Sequence, residues 1–362
     1  MRNYKIALII AAALIVGGGI GFVITGFATA GSIEDSFNFT YEPSSPDTIE
    51  DLTFNVDIGK ILFKYNTSLM TSYAKIDVDI AITGLYMEGK TIENFFHPDT
   101  EWWDNTTATF NLQTLPDVWF DPSHWFKSYN IIVAVTLRTD VVYDLTASAS
   151  VGSIEMQVSD GVILNGTSLT SSTGSIKLNT SGNNEFLGKV RLESDTGSIE
   201  SSAAKTNFTH GISALTSTSR LTLNFTNCIM GDDLIGTTST GHLDFKSYNM
   251  VYTNNINLDL ESPTGGIDVD LYQSITMGAN VTGTWKTSTG SIDVLYRDNL
   301  VNTDVRFIGS ITGSPNYVSD PSMEITSFGS TYSTLYYGDG MYRYLFSLDT
   351  STGNIDVDAR SD

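Results

Sequence analysis

The chain repeats one short phrase at nearly even intervals, and this repeat restricts its fold more than any other feature. Versions of it are SSTGSIKL, SDTGSIES, TSTGHLDF, SPTGGIDVDL, TSTGSIDVLY and TSTGNIDVD, beginning at Ser171, Ser194, Thr238, Ser262, Thr287 and Thr350. We call the glycine of each copy the corner; the corners are Gly152, Gly174, Gly197, Gly241, Gly265, Gly290 and Gly353. A period between about 20 and 50 residues is typical of stacked or radial repeats.

The corner spacing contains one hidden copy of the phrase. Successive corners lie 22, 23, 44, 24, 25 and 63 residues apart, and the interval of 44 is two steps of 22. TSTSRLTL places Ser219 at the midpoint of that interval. The interval of 63 leaves room for two weaker corners, for which Gly313 and Gly329 are candidates.

Apolar and polar residues alternate strictly after each corner, which predicts a strand with one buried and one solvated face. The residues two and four positions after the corner are predicted to point inward: Ile154, Ile176, Ile199, Leu221, Leu243, Ile267, Ile292, Ile355, Met156, Leu178, Ser201, Leu223, Phe245, Val269, Val294 and Val357.

Alternation in the segment before each corner predicts a second strand there. Continued to the corner, it predicts an inward column of threonine hydroxyls at Thr173, Thr196, Thr218, Thr240, Thr264, Thr289 and Thr352. The corner glycine would supply the positive φ of a sharp bend.

Two strands, a bend and a return that contains a third short strand, such as VILN at Val162–Asn165, fit one coil of about 22 to 25 residues. A propeller blade needs about twice that length. A sandwich gives no reason for one position to be isoleucine or leucine in every copy. The sequence therefore predicts an all-β fold, a β-solenoid whose equivalent residues stack about 4.8 Å apart.

The N-terminus carries an uncharged run between Arg2 and Lys5 on one side and Glu34 and Asp35 on the other. Residues 6–30 are long enough to cross a bilayer as a helix, and the flanking charges place the rest of the chain outside the cell. Ala28-Thr29-Ala30 also fits a signal-peptide cleavage site, so a cleaved secretory signal is the alternative. Both interpretations export the remainder.

Export agrees with the eight potential N-glycosylation sites, at Asn38, Asn66, Asn105, Asn165, Asn179, Asn207, Asn224 and Asn280. The net charge of −22 argues against a nucleic-acid partner, because a phosphate backbone would be repelled. Cys228 is the single cysteine, which excludes an internal disulfide and a cysteine-based metal cluster.

The sequence of the region before the repeat, residues 52–146, predicts long strands and a tryptophan-rich loop. One interpretation is a cap that covers the open end of the solenoid and buries its aromatics. The other is a ligand-binding groove for carbohydrate or peptide, formed by Trp102, Trp103, Trp119, Trp125, His97 and His124. The cap is favoured, because large aromatic side chains are more often buried than displayed.

Acidic residues recur on the outward side of the predicted strands. Asp244, Asp268, Asp270 and Asp293 are candidate calcium ligands, although calcium takes about six to eight oxygens and neighbouring coils offer few. A solvated face is the favoured alternative, and no other cofactor is expected. Asp232, Asp233 and His242 superficially resemble the clustered residues of polysaccharide-cleaving β-helices, but their spacing along a strand separates Asp233 from His242.

The TSTGSI phrase at this spacing resembles the bacterial and archaeal putative-adhesin β-solenoid domains, over roughly residues 140–300. That resemblance implies a cell-surface solenoid with an adhesive role. We therefore expect a membrane-anchored, single-pass, extracellular β-solenoid protein that is structural or adhesive and not an enzyme. Its partners would be the lipid bilayer, through residues 6–30, and cell-surface glycans or proteins. The alternative is an exported polysaccharide lyase or glycosidase.

The expected organisation has five parts. They are an anchor or signal at residues 1–31, a stalk at 32–51, the β-rich cap region at 52–146, the repeats at 147–300, and C-terminal coils with a second cap at 301–362.

Overall fold

A computed structural model describes residues 31–43, 47–67, 71–85, 87–116, 118, 127–298, 303–310, 316–319, 325–328, 331–334 and 341–361. These residues form an all-β fold, as predicted. Apart from the strands, they include two short 3-10 turns, Ile92–Asn94 and Asp99–Glu101. No helix in the described ranges is long and apolar enough to span a membrane. The predicted anchor at residues 6–30 lies outside those ranges.

The strands of the first half are β1 (Gly31–Tyr41), β2 (Glu50–Ile58), β3 (Lys60–Tyr65), β4 (Ala74–Gly84), β5 (Trp103–Asp104), β6 (Thr109–Leu112), β7 (Lys127–Leu137), β8 (Tyr143–Val151), β9 (Ile154–Val158), β10 (Ile163–Ser171), β11 (Ile176–Phe186), β12 (Val190–Ser194), β13 (Ile199–Phe208) and β14 (Ile212–Thr216). Those of the second half are β15 (Leu221–Thr226), β16 (Ile229–Met230), β17 (Leu234–Thr238), β18 (Leu243–Tyr248), β19 (Val251–Tyr252), β20 (Ile256–Glu261), β21 (Ile267–Gln273), β22 (Val281–Thr287), β23 (Ile292–Asp298), β24 (Thr303–Ser310), β25 (Asn316–Ser319), β26 (Ile325–Phe328), β27 (Thr331–Thr334), β28 (Tyr342–Thr350) and β29 (Ile355–Ser361).

Two long parallel ladders run through these strands. The post-corner ladder joins, in spatial order, β3, β9, β11, β13, β15, β18, β21, β23, β29 and β25. The pre-corner ladder joins β2, β8, β10, β12, β14, β17, β20, β22, β28 and β24. Parallel neighbours need a long connection, which the intervening strands and bends of each repeat supply.

A third, shorter ladder follows the return of each repeat. Its register pairs Leu164 with Phe186, Phe186 with Phe208, Phe208 with Met230 and Met230 with Tyr252. All five side chains are buried. The predicted third short strand near residues 162–165 is therefore present, as the first part of β10.

The predicted inward residues after the corners are confirmed. All sixteen, Ser201 included, are at most 3% exposed. The ladder pairs them in the predicted columns, as in Ile199 with Leu221 and Leu221 with Leu243, so Ser219 does stand at a corner. Burial of these aliphatic side chains stabilises the fold by roughly 1.5 to 3 kcal/mol each, as an upper value.

The predicted inward column of threonines is wrong by two residues. Thr173, Thr196, Thr218, Thr240, Thr264, Thr289 and Thr352 are all exposed. The buried hydroxyls belong to the residue two positions earlier: Ser171, Ser194, Thr216, Thr238, Ser262, Thr287 and Thr350. The pre-corner strand ends at or next to this residue, so strand alternation stops there and the bend turns the following threonine outward.

We use the word coil for one repeat of these ladders. Each buried hydroxyl joins two successive coils. Ser262 Oγ donates to the carbonyl oxygen of Gly241 at 2.7 Å and accepts from the N–H of Gly265 at 3.1 Å. The same pattern of two bonds recurs at Ser171, Ser194, Thr238, Thr287 and Thr350. The exposed threonines form a second row of coil-to-coil bonds, such as Thr264 Oγ1 to the Ser239 carbonyl at 3.1 Å.

The corner glycines are explained by close stacking and not by a left-handed backbone, and Ser219 replaces glycine at one corner. Only Gly152 among the seven has a positive φ, of 155°. A Cβ atom at Gly265 would lie 1.7 Å from the carbonyl oxygen of Gly241, and one at Gly290 would lie 1.9 Å from that of Gly265. The expectation of positive φ at every corner is therefore wrong.

At both ends of the ladders, the spatial order of the strands departs from their order in the sequence. β23 pairs directly with β29, and β25 pairs with the far side of β29. The last coil, β28–β29, thus lies between the β22–β23 coil and the β24–β25 strands. Thr350 Oγ1 donates to the Gly290 carbonyl at 3.0 Å. The coil whose phrase begins at Thr350 therefore stacks directly on the coil whose phrase begins at Thr287. Gly313 and Gly329, the candidate weak corners, lie outside the described residues.

At the other end, β2 and β3 already belong to the ladders. Ile61 pairs with Ile154, and a Cβ at Gly152 would lie 1.7 Å from the Gly59 carbonyl oxygen, so Gly59 is an earlier corner. Beyond β3 the sheet continues through β7, parallel, and then β4 and β1, antiparallel. Residues 32–41 of the predicted stalk therefore lie in β1. The remaining domain boundaries stay predictions.

We expect the buried hydroxyls to contribute more to stability than the exposed ones of the same corner. Ser262→Ala leaves the buried Gly241 carbonyl and the partly buried Gly265 N–H without this partner, so the free energy of unfolding should fall by about 1 to 3 kcal/mol. Thr264→Ala, the matched control, should change it by less than about 0.5 kcal/mol. Denaturant unfolding of the two variants measures the difference, and equal losses would contradict the assigned role.

Candidate functional site

Outward side chains of four neighbouring strands form one continuous polar surface, which we call the acidic face. It comprises His242 in the bend before β18, Asp244, Lys246 and Tyr248 of β18, Asp268, Asp270 and Tyr272 of β21, Asp293, Leu295 and Arg297 of β23, and Asp356, Asp358 and Arg360 of β29. The parallel register puts equivalent positions side by side, at the strand spacing of about 4.8 Å.

The central column of this face consists of four aspartates. Asp244 pairs with Asp268, Asp268 with Asp293, and Asp293 with Asp356. Arg220 of the preceding bend forms a salt bridge with Asp244. Among the described residues, no lysine or arginine forms a salt bridge with Asp268, Asp293 or Asp356. The column therefore carries an excess of negative charge.

The excess charge acts on Asp293 in the middle of the column. Partial desolvation of this carboxyl, followed by the like charges of Asp268 and Asp356, raises the pKa of Asp293 above its ordinary value. The side chain nevertheless remains substantially exposed, so solvent screens most of the effect on stability.

His242 lies at the start of the aspartate column. Its Nε2 atom is 2.9 Å from Asp268 Oδ2 and 3.6 Å from Asp244 Oδ1. These three side chains place one ligand atom each within 4.8 Å of one another. They come from adjacent coils, since Asp268 lies one coil after His242 and Asp244.

Aromatic and guanidinium groups form the other border of the acidic face. Tyr248, Tyr272, Arg297 and Arg360 follow one another in register. The Arg297 guanidinium lies 5.4 Å from the ring centre of Tyr272 and donates to Asp270 Oδ1 at 2.8 Å. Tyr248 donates its hydroxyl hydrogen to Asp270 Oδ2 at 2.6 Å. Partial burial and this hydrogen bond raise the pKa of Tyr248.

A groove of about 550 Å³ lies along the acidic face, and the four column aspartates line it. Asn316 and Val318 of β25 form one side, and Val318 is 53% exposed. Its lining combines carboxylates, an arginine and apolar side chains, which can hydrogen-bond and pack against a polar ligand.

The structure brings together most, but not all, of the candidate metal ligands. Asp244, Asp268 and Asp293 share the column, whereas both carboxylate oxygens of Asp270 are occupied by Tyr248 and Arg297. The calcium hypothesis did not include His242. Its Nε2 atom lies 2.9 Å from Asp268 Oδ2, which is less than the spacing of about 4.8 Å between neighbouring strands.

The aromatic border was missed in the sequence analysis, although the signal was available. Tyr248, Tyr272, Arg297 and Arg360 each stand seven positions after a corner. Extending the alternation by two more outward positions identifies this column.

The second predicted site, in the tryptophan-rich region, is only partly described. Trp102 is 1% exposed, donates its Nε1–H to the His97 carbonyl at 2.7 Å, and packs edge-on against Phe37 at 4.7 Å. Trp103 is half-buried and packs against Tyr41. His97 lies 3.8 Å from Glu101 at the surface. Trp119, His124 and Trp125 lie outside the described residues. Trp102 is thus a core residue and does not face a ligand.

The candidate catalytic residues are not in contact. His242 faces Asp244 and Asp268, whereas Asp233 accepts from the backbone N–H of Asn257 at 2.7 Å and Asp232 caps the N–H of Asp233. Cys228 is fully buried, and burial raises the pKa of its thiol.

The potential glycosylation sites fall into two groups. Asn38, Asn66 and Asn105 are exposed. The others are half-buried on strands or turns of the ladders: Asn165, Asn179, Asn207, Asn224 and Asn280. Some of these are engaged between coils, as where Asn207 Nδ2 donates to Glu185 at 3.0 Å. Glycosylation itself stays a prediction.

Comparison with known proteins gives only weak similarity. No model of a protein family matches the chain, and no curated protein matches it. The crystal structure of a putative cell adhesion protein from Clostridium sporogenes ATCC 15579 is similar, with 9% identity, a TM-score of 0.23, and coverage of 90% of this chain and 100% of that chain. A putative adhesin from Bacteroides fragilis NCTC 9343 has 9% identity and a TM-score of 0.29, covering 90% and 97%.

We expect Asp293→Asn to stabilise the protein at neutral pH. Because the folded-state pKa of Asp293 is raised, its contribution to stability is present at low pH and is lost as the pH rises through that pKa. The variant should therefore gain less than about 1 kcal/mol at pH 7, and the gain should vanish below the ordinary aspartate pKa of about 3.9.

Denaturant unfolding of the wild type and the variant at a series of pH values measures this difference. Asp232→Asn, which removes an exposed carboxylate from a turn outside the column, is the control and should show no such pH-dependent gain. A loss of stability in Asp293→Asn at pH 7 would show that its charge is favourable in the folded protein.

Proposed function

We propose that this protein is a membrane-anchored, extracellular β-solenoid that acts as a structural or adhesive protein at the cell surface. In this proposal, residues 6–30 anchor the chain in the bilayer, the repeats form a rod, and the acidic face is the surface that contacts a partner. The partner is a cell-surface glycan or protein. Three sets of observations support the proposal.

The solenoid interpretation is supported by the register of the ladders. Equivalent residues such as Ile267 and Ile292 pair in parallel, and the corner hydroxyls join each coil to the one before it. Stacked repeats of this kind expose flat sheet faces whose side chains come from many coils.

Location at the cell surface is supported by the sequence at the N-terminus. The uncharged segment is long enough for a bilayer, and its flanking charges favour export of the remainder. The exposed positions of Asn38, Asn66 and Asn105 are compatible with passage through a secretory route.

The acidic face is the single observation that carries the adhesive role. Residues far apart in sequence, from Asp244 to Asp358, meet in register around one groove of about 550 Å³. Carboxylates accept hydrogen bonds from sugar hydroxyls and pair with cationic side chains, while the Tyr248 and Tyr272 rings add apolar surface. A glycan or a basic protein segment has the matching chemistry.

One observation favours the alternative of an exported polysaccharide lyase or glycosidase. Asp293, whose pKa is raised, lies beside the carboxylates of Asp268 and Asp356. Neighbouring carboxyl groups with different pKa values can serve as a general acid and a general base. In this alternative, Asp293→Asn would abolish glycan cleavage that the wild type performs.

The adhesive role is tested by removing charge from the acidic face of the full chain displayed on cells. The triple variant Asp268→Asn, Asp293→Asn and Asp356→Asn should lose most of the attachment of these cells to glycan- and protein-coated surfaces. A control with the same charge change, Asp195→Asn, Asp232→Asn and Glu261→Gln, alters exposed positions elsewhere and should attach like the wild type. Equal attachment by the two triple variants would overturn the proposed contact surface.

A further inference from the structure

The bend before β18 differs from the equivalent bends of the other repeats. The residue directly after the corner is serine in four repeats, at 153, 175, 198 and 291, and it is Lys60, Arg220, His242, Gly266 and Asn354 in the others. His242 is therefore the only imidazole in that column, and it stands where the aspartate column begins.

The potential ligand atoms around His242 lie close to the spacing that a metal centre requires. His242 Nε2 lies 2.9 Å from Asp268 Oδ2 and 3.6 Å from Asp244 Oδ1. Zinc binds nitrogen and oxygen ligands at about 2.0 to 2.2 Å, so ligand atoms at a tetrahedral angle lie about 3.3 to 3.6 Å apart. The 3.6 Å separation lies at the upper end of this range, the 2.9 Å separation is that of the hydrogen bond between His242 and Asp268, and all three ligand atoms lie within 4.8 Å of one another.

A second observation points to a ligand between these groups. Asp244 is only 8% exposed, and its two oxygens have different surroundings. Oδ2 accepts from the Arg220 guanidinium, whereas Oδ1 faces the imidazole and accepts no hydrogen bond from the described part of the chain. Arg220 thus fixes the orientation of the carboxylate, as residues behind metal ligands commonly do.

The local charge also favours a cation. Asp268 extends the negative charge into the column formed with Asp293 and Asp356, which have no lysine or arginine salt bridge within the described ranges. A divalent ion at His242 would compensate this charge at the end of the groove.

We propose that His242, Asp244 and Asp268 bind a zinc ion. The imidazole nitrogen is the reason to prefer zinc over calcium, because calcium and magnesium take oxygen ligands and imidazole suits zinc and other late first-row metals. Three protein ligands leave a fourth position open toward the groove that Asp244 and Asp268 line. The site does not depend on the proposed adhesive role.

The test is metal binding by the full chain, purified in detergent and stripped with a chelator. Titration with ZnCl₂ against a chromophoric zinc chelator should give one site per chain. His242→Ala and Asp268→Asn should each weaken zinc binding by about 100-fold or more, because each removes a direct ligand and loss of even a supporting group commonly costs 10- to 100-fold. His210→Ala, which removes an exposed histidine in another turn, is the matched control and should bind like the wild type.

Substitution of zinc by Co²⁺ gives a second readout, which a purely structural role of His242 would not affect. Bound Co²⁺ should show the visible absorption of a low-coordinate site in the wild type and in His210→Ala, and lose it in His242→Ala. Absence of zinc binding by the wild type would overturn the proposal, as would unchanged binding in His242→Ala. Calcium binding at least as tight as zinc binding, and independent of His242, would also overturn it by assigning the column to oxygen ligands alone.

Discussion

A buried hydroxyl at every corner from Gly174 onward is the contact on which the rest of the structure depends. The serine or threonine two positions before the corner threonine donates to the previous corner's carbonyl and accepts from its own corner's N–H. This pair of bonds fixes the vertical spacing of the coils, and the absence of a Cβ at the glycine corners allows the backbones to approach that closely. Because a slip of one residue would turn every apolar side chain outward, the corner also protects the buried columns.

The same contact decides which coils are neighbours. β28–β29, which carries TSTG, stacks on the β22–β23 coil 63 residues earlier, because Thr350 donates a hydrogen bond to the Gly290 carbonyl. Once the register is fixed, the residues at the same outward position of successive repeats form a column. The acidic face is the consequence at the C-terminal end, where four aspartates, one histidine and the tyrosine–arginine column converge although they lie far apart in sequence.

The sequence predicted the periodic part of the structure well and the irregular part poorly. The buried columns, from Ile154 to Val357, and the hidden corner at Ser219 follow from alternation and period alone. The outward turn of Thr264 was missed because alternation was extended past the end of a strand, and the insertion of the last coil was missed because spacing does not reveal spatial order. The involvement of His242 depends on cross-coil distances, which composition cannot supply.

The most direct measurement of the central claim is a cross-linking test of the register between two coils. Glu200 and Thr222 are in-register outward partners, so cysteines at these positions have Cα atoms about 4.8 Å apart, within disulfide range. Cysteines at Ser202 and Thr222 are displaced by one pleat and lie about 8 Å apart, beyond that range. The native Cys228 is buried and remains in both variants. Mild oxidation should cross-link the first pair and leave the second reduced; cross-linking of the second pair in preference to the first would contradict the register that the corner hydroxyls impose.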